Sequence, residues 1–331
     1  MPEVVAAIAA FATLAYALLG GADFGGGVWD LFASGERKQA QRAAIADAMA
    51  PVWEANHVWL IFLIVILFTA FPPVYSTLST ALFVPFHLVL LGIVLRGAAF
   101  VFRAYGRRDR HLTPTERTWG VLFGASSTIT PFLLGTCMGA VASGAIRVVG
   151  DRVQITGTPW LLPLSLMTGA LALALCAYLA AVYLTIETSG PLQQDFRRYA
   201  LQAGTITVAL SVAALPLLRS EAPHLWQGLF STRALPILVV GVVAALLAGW
   251  SLLRSHFRLA RAAAIVQIAM LLAGWMAALY PYIVFPDLSL STAVAPAATL
   301  RFFLIAVPVG MLLLIPSLYL LFRIFKLQHR P

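Results

Sequence analysis

The chain has 331 residues, of which 61% are hydrophobic and only 11% charged. Soluble domains carry about 25% charged residues, so these few could not cover a water-exposed globule, and disorder needs low hydrophobicity and high charge. With a mean hydropathy of +0.89, an integral membrane protein with many spanning helices is the class that remains, and the net charge of +9 is the loop bias of such a protein rather than a nucleic-acid footprint.

The chain is read as one transmembrane domain, 1–331, with about nine spans. They fall near 4–27, 51–71, 77–103, 118–141, 160–186, 200–218, 234–254, 262–284 and 300–325. The first apolar run lacks a basic n-region and a cleavage site and is expected to be retained. Helices two and three are joined by FPPVY, whose Pro72 and Pro73 stop the helix before them. Nine crossings place 16 of the 22 Lys and Arg on one side and 5 on the other, with Arg96 left inside helix three. The positive-inside rule then sets the N-terminus outside and the C-terminus in the cytoplasm. Cys137 and Cys176 lie in apolar runs, and no CxxC or CxxCH occurs, so neither a thiol pair nor attached haem is expected.

Ionisable residues inside the membrane are functional candidates by default. Asp23 sits late in helix one among Gly20, Gly21, Gly25, Gly26 and Gly27. Such glycines suit a close approach of another backbone or a bend; the plainer reading is an interfacial charge at a helix end. In PVWEANHVW (51–59), Pro51 fits a first helical turn, and the helix dipole alone favours Glu54 there. It does not account for His57, three residues on and so on the same face. A carboxylate and an imidazole one turn apart form a proton relay, with Asn56 and Trp53 as supporting groups. Arg96, in LRG of helix three, is a counter-charge for Glu54 or Asp23, or else snorkels to the cytoplasmic headgroups. His87, nearer mid-membrane, is either a haem ligand with His57 or a histidine bonded to a neighbour. TPFLLG (130–135) reads as helix punctuation and 184–200 as a helix exit into a polar loop.

Four stretches carry a family resemblance. GGADFGGGVWDL (20–31) is similar to DGFDLGVG, and PVWEANHVWL (51–60) to PVWDGNEVWL. The 68–103 hairpin with its FP turn and LRG also matches, as do Thr185–Arg198 and YPYIVFPDL (280–288). The chain resembles subunit II of the cytochrome bd-type terminal oxidases. It departs at Gly20 (the motif's first acid), at Glu54 for Asp, Ala55 for Gly, His57 for Gln or Glu, and Val101 for an acid.

The resemblance implies two four-helix bundles plus one peripheral helix in a bacterial inner (plasma) membrane. It implies an oxidoreductase complex of the respiratory chain with a larger subunit I that bears two b haems and one d haem. This chain would bind no haem and no metal. It would scaffold subunit I and help carry protons from the cytoplasm, with Glu54, Asp23 and His57 as the path and Arg96, Asn56 and Trp53 supporting it. Small single-helix accessory subunits, lipids and a structural quinone are further expected partners; nucleic acid is not. Two other readings stay open from the residues alone: a secondary transporter, which broken helices and buried charges also fit, and a purely structural membrane partner.

Overall fold

The computed structural model describes the backbone of residues 1–106, 114–150 and 152–328, and their side chains except at 49–55, 103–106, 114–117, 321–322 and 324–328. The first five helices are α1 (Pro2–Phe32), α2 (Lys38–Ala70), α3 (Pro72–Ala81), α4 (Phe83–Gly106) and α5 (Pro114–Ala142). They are followed by α6 (Pro163–Glu187), α7 (Gly190–Glu221), α8 (Pro223–Leu229), α9 (Ala234–Leu253), α10 (Phe257–Leu279) and α11 (Ala297–Gln328). Proline opens α1, α3, α6, α7 and α8, where its missing N–H costs no helical bond. Among the described residues, eight helices are long and apolar enough to cross a bilayer. A ninth span results if α2 from Asn56 and α3 count as one path across their 116° bend. The chain is a predominantly helical, multi-pass membrane protein of the all-α class.

The boundaries differ from the hydropathy reading in four places. Helix two starts at Lys38, not near residue 51. Residues 38–50 are rich in Ala, with two Gln, one Lys and one Arg, all good helix formers, and hydropathy reports lipid contact rather than helicity. Pro51 therefore lies within α2, and the dipole explanation of Glu54 falls. For the same reason α7 begins at Gly190, inside the expected polar loop. The expected third helix is two, parted at Leu82. The expected eighth ends at Leu279 and gives way to a hairpin of β3 (Tyr282–Val284) and β4 (Leu288–Ser289). A second hairpin, β1 (Ile146–Val149) with β2 (Arg152–Ile155), fills the loop after α5. TPFLLG does not break α5, which continues through Pro131.

The helices form two groups. α1, α2, α4 and α5 make one bundle; α6, α7, α9 and α10 make the other. The bundles join where α1 and α5 both pack on α6. α11 leans on α2 and α1 and leaves most of its surface uncovered. This is the arrangement of two four-helix bundles with a peripheral helix.

The two ends of the bundles are tied differently. At the end where α1 begins, the hairpins cover a core containing Val5, Phe71, Ile146, Val284 and Leu288. There Asp287 accepts from Arg147 Nε at 2.9 Å and from the Val148 N–H at 2.7 Å. The Arg147 hydrogen bond chiefly holds the Asp287 carboxyl below its ordinary range, against partial desolvation. A folded value below the unfolded one of about 3.9 stabilises above that pH and is lost as pH falls through the folded value. Asp287→Asn should therefore melt below wild type at pH 7, and the gap should close below about pH 4. Melting curves of both proteins against pH test this.

Candidate functional site: a buried carboxylate and guanidinium

The second half of α1 is built for contact. Gly20, Gly21, Gly25, Gly26 and Gly27 are all buried, together with Asp23. A Cβ on Gly25 would lie 1.9 Å from the backbone carbonyl oxygen of Cys176 on α6, so only glycine permits this crossing. Trp29 fixes it by donating Nε1–H to the Ala177 carbonyl at 2.7 Å. Asp23 is thereby placed where α1 meets α2, α4 and α5.

Arg96 of α4 reaches this point. Its Nη1 donates to Asp23 Oδ2 at 2.8 Å and its Nη2 to Oδ1 at 2.5 Å. Nη2 also donates to the Asp23 carbonyl at 3.1 Å, and Nε to Ser127 Oγ of α5 at 2.9 Å. Ser127 passes its own O–H to the Phe123 carbonyl. The guanidinium lies over the rings of Phe24 and Phe123, 5.1 and 5.0 Å from their centres, an arrangement that suits a planar cation. Relative exposure is 1% for Asp23 and 2% for Arg96, which removes both plain readings: Asp23 is not interfacial, and Arg96 does not snorkel. Desolvating two charges is costly and is offset only when geometry is good and further hydrogen bonds are made; here each of the three guanidinium nitrogens donates at least once.

Asn56 of α2 is the third member. It is buried and directs Nδ2 toward Asp23 Oδ2 at 3.4 Å, a long contact. His57 follows it on α2 and is half-buried, about 100° around the helix from Asn56. Glu54 and Trp53 lie on α2, but their side chains fall outside the described residues. The structure thus brings Asp23, Arg96 and Asn56 together.

Several polar groups escaped the sequence reading. Ser127 is one; its signal was the ASSTIT run (125–130) on an otherwise apolar span. Asp195, read as part of a solvated loop, is buried and held by Arg37 through two bonds of 2.7 Å and by Gln41 at 3.1 Å. These tie the start of α7 to the start of α2. Buried Asp30 completes that end, its carbonyl accepting from Arg42 Nε at 3.1 Å.

The histidines described outside α2 are engaged separately. The Nδ1 of His87 bonds the Phe83 carbonyl at 2.7 Å on the outer face of α4. His224 stacks on Phe285, and His256 sits beside Trp250. No group of three or more His, Cys, Asp or Glu among the described residues could hold a metal ion.

The family model for cytochrome bd terminal oxidase subunit II matches residues 1–325. Cytochrome bd ubiquinol oxidase subunit 2 of Bacillus subtilis (strain 168) is 31% identical over 205 residues, 61% of this chain and 59% of that protein. Cytochrome bd-I ubiquinol oxidase subunit 2 of Escherichia coli (strain K12) is 28% identical over 199 residues, 59% of this chain and 51% of that one. The chain thus spans between half and three-fifths of these curated relatives. The structure of bd oxidase from Geobacillus thermodenitrificans contains a chain with the same fold: TM-score 0.81 at 23% identity, covering 98% of both chains.

Proposed function

Because the chain belongs to the cytochrome bd terminal oxidase subunit II family, we propose that it is the scaffold subunit of a quinol:oxygen oxidoreductase in a bacterial inner membrane. Its partner is a larger subunit I. That subunit carries two b haems and one d haem, which move electrons from quinol to oxygen when bound. This chain supplies a proton route from the cytoplasmic side. Glu54 is the first acid on that route, Asp23 and His57 are relay groups, and Arg96, Asn56 and Trp53 orient them. The observation that carries this reading is the Asp23–Arg96 pair, buried among four helices at the inner half of α1. A polar path must have a fixed charge balance where lipid would otherwise exclude it. The 16-to-5 asymmetry of Lys and Arg supports an outside N-terminus and a cytoplasmic C-terminus. Lipids, a structural quinone and single-helix accessory subunits complete the proposed assembly.

One observation favours the purely structural alternative for Asp23. Both of its carboxylate oxygens are taken by Arg96, which leaves Glu54 as the residue that separates the two readings. A positioned proton-transfer group contributes roughly 10²–10⁴-fold to a rate. Glu54→Gln should therefore lower quinol-driven oxygen uptake at least about tenfold, with haem content per complex unchanged. Wild-type turnover in this variant would remove Glu54 from the route.

A further inference from the structure

The second bundle holds a cavity at the end away from the hairpins, which the proton route does not use. Its volume is about 730 Å³, and it lies where α6 and α9 end and α7 and α10 begin. Thr185, Gln193, Trp250, Ser255, His256 and Arg258 line it. α9 and α10 both have the length and hydropathy of spans, so the turn between them, 254–256, sits at a membrane surface. Trp250, one turn before it and 48% exposed, has the place of an interfacial aromatic.

This corner is short of negative charge. α9, α10 and their turn carry Arg254, His256, Arg258 and Arg261 but no Asp or Glu. Glu187 reaches Arg261 at 4.0 Å with both side chains well exposed, a pair of little strength. Asp195 is taken by Arg37 and Gln41. Arg254 and Arg258 have no acidic partner among the described residues. α10 opens on His256 with no side-chain cap and no acid in its first turn; Arg258 stands there instead, where the helix dipole opposes a cation. The carbonyl ends that would repel an anion are already covered. Gln193 donates to the Thr185 and Thr188 carbonyls at 2.7 and 3.0 Å, and Arg197 to those of Leu252 and Leu253, both at 2.7 Å. Ser255 is held at φ 60°, a left-handed position that glycine fills with less strain; serine adds a hydroxyl there.

We infer that this cavity binds the phosphate of an anionic phospholipid. Arg254 and Arg258 supply the countercharge and the Ser255 hydroxyl a hydrogen bond. The apolar part of the lipid lies on Leu253 and Leu259, which are exposed beside Trp250; these neighbours favour a lipid over a free phosphate ion. A headgroup in this place joins the ends of four helices. The choice of leaflet rests on the cytoplasmic placement of this turn in the proposed topology: anionic lipids give that surface its negative potential, and basic pockets between spans bind their headgroups.

The test is a titration of the delipidated complex in detergent with phosphatidylglycerol, phosphatidylcholine or inorganic phosphate, read by melting temperature and native mass spectrometry. Phosphatidylglycerol should raise the melting temperature and stay bound, well ahead of the other two. Arg254→Gln and Arg258→Gln should each weaken its retention about fivefold. Ser255→Gly should melt above wild type without lipid yet gain less from phosphatidylglycerol; a turn that binds nothing would show the first effect alone. Arg301→Gln, an exposed arginine on α11, is the control and should bind as wild type does. Stabilisation by phosphatidylcholine equal to that by phosphatidylglycerol, or retention by the double arginine variant equal to that of wild type, would overturn the site. Inorganic phosphate matching phosphatidylglycerol would overturn the lipid and assign the cavity to a free anion. These readouts use neither oxygen uptake nor the side the turn faces, so a failure here is distinct from a failure of the Glu54 route or of the topology.

Discussion

Arg96→Leu is expected to destabilise the complex by about 3–5 kcal/mol, the cost of leaving a buried charge without its partner. The guanidinium makes two bonds to the Asp23 carboxylate, one to the Asp23 carbonyl and one to Ser127. Leucine would strand all of these acceptors in a site where Asp23 is 1% exposed. Asp23→Leu alone should cost a similar amount by stranding Arg96. The double variant Asp23→Leu with Arg96→Leu should recover much of the loss, because an apolar pair of similar volume is often no less stable than the ions it replaces. If the double variant costs no more than either single one, the non-additivity is at least about 3 kcal/mol. Melting temperatures and yields of the four proteins give the cycle. Single variants that melt with wild type would show that the pair is not a structural contact. Oxygen uptake per assembled complex adds the functional half: if the double variant is stable but inactive, the charges do more than join helices.

Gly25→Ala should be nearly as damaging, at the upper end of the roughly 1–3 kcal/mol typical of overpacking. The added methyl would meet the Cys176 carbonyl at 1.9 Å and the Ala180 Cβ at 2.7 Å. The first of these is backbone and cannot rotate away. α1 must then separate from α6, and the two bundles lose one of the two helix contacts that join them. Gly249→Ala on α9 is the control. No atom lies within 4 Å of its Cβ position, so it should be neutral or stabilise by about 0.5–1 kcal/mol through helix propensity. Equal behaviour of the two variants in a thermal melt would refute the close-crossing account.

That Arg96 could have an acidic partner was legible in the sequence because a charge in lipid is so costly, but neither the choice of Asp23 over Glu54 nor the choice of a pair over a snorkelling side chain was. Asn56 was legible for a related reason, as an amide on an apolar helix. Ser127 was not, since one hydroxyl carries little cost and can bond its own helix, as it does to Phe123. The polar starts of α2 and α7 were missed because hydropathy measures lipid contact. Asp195 was missed with them: surrounded by Gln193, Gln194 and Arg197 in sequence, it gives no sign that Arg37 and Gln41 enclose it. The transporter reading rested on broken helices and buried charges. The family match over residues 1–325 accounts for both without it.

The most direct test of the central claim is a reduced-minus-oxidised optical spectrum of the complex purified through a tag on this chain. Haem b and haem d bands, together with a larger partner subunit in stoichiometric amount, are the expected result. A colourless preparation of this chain alone, from membranes that retain quinol-dependent oxygen uptake through haem d, would contradict the assignment.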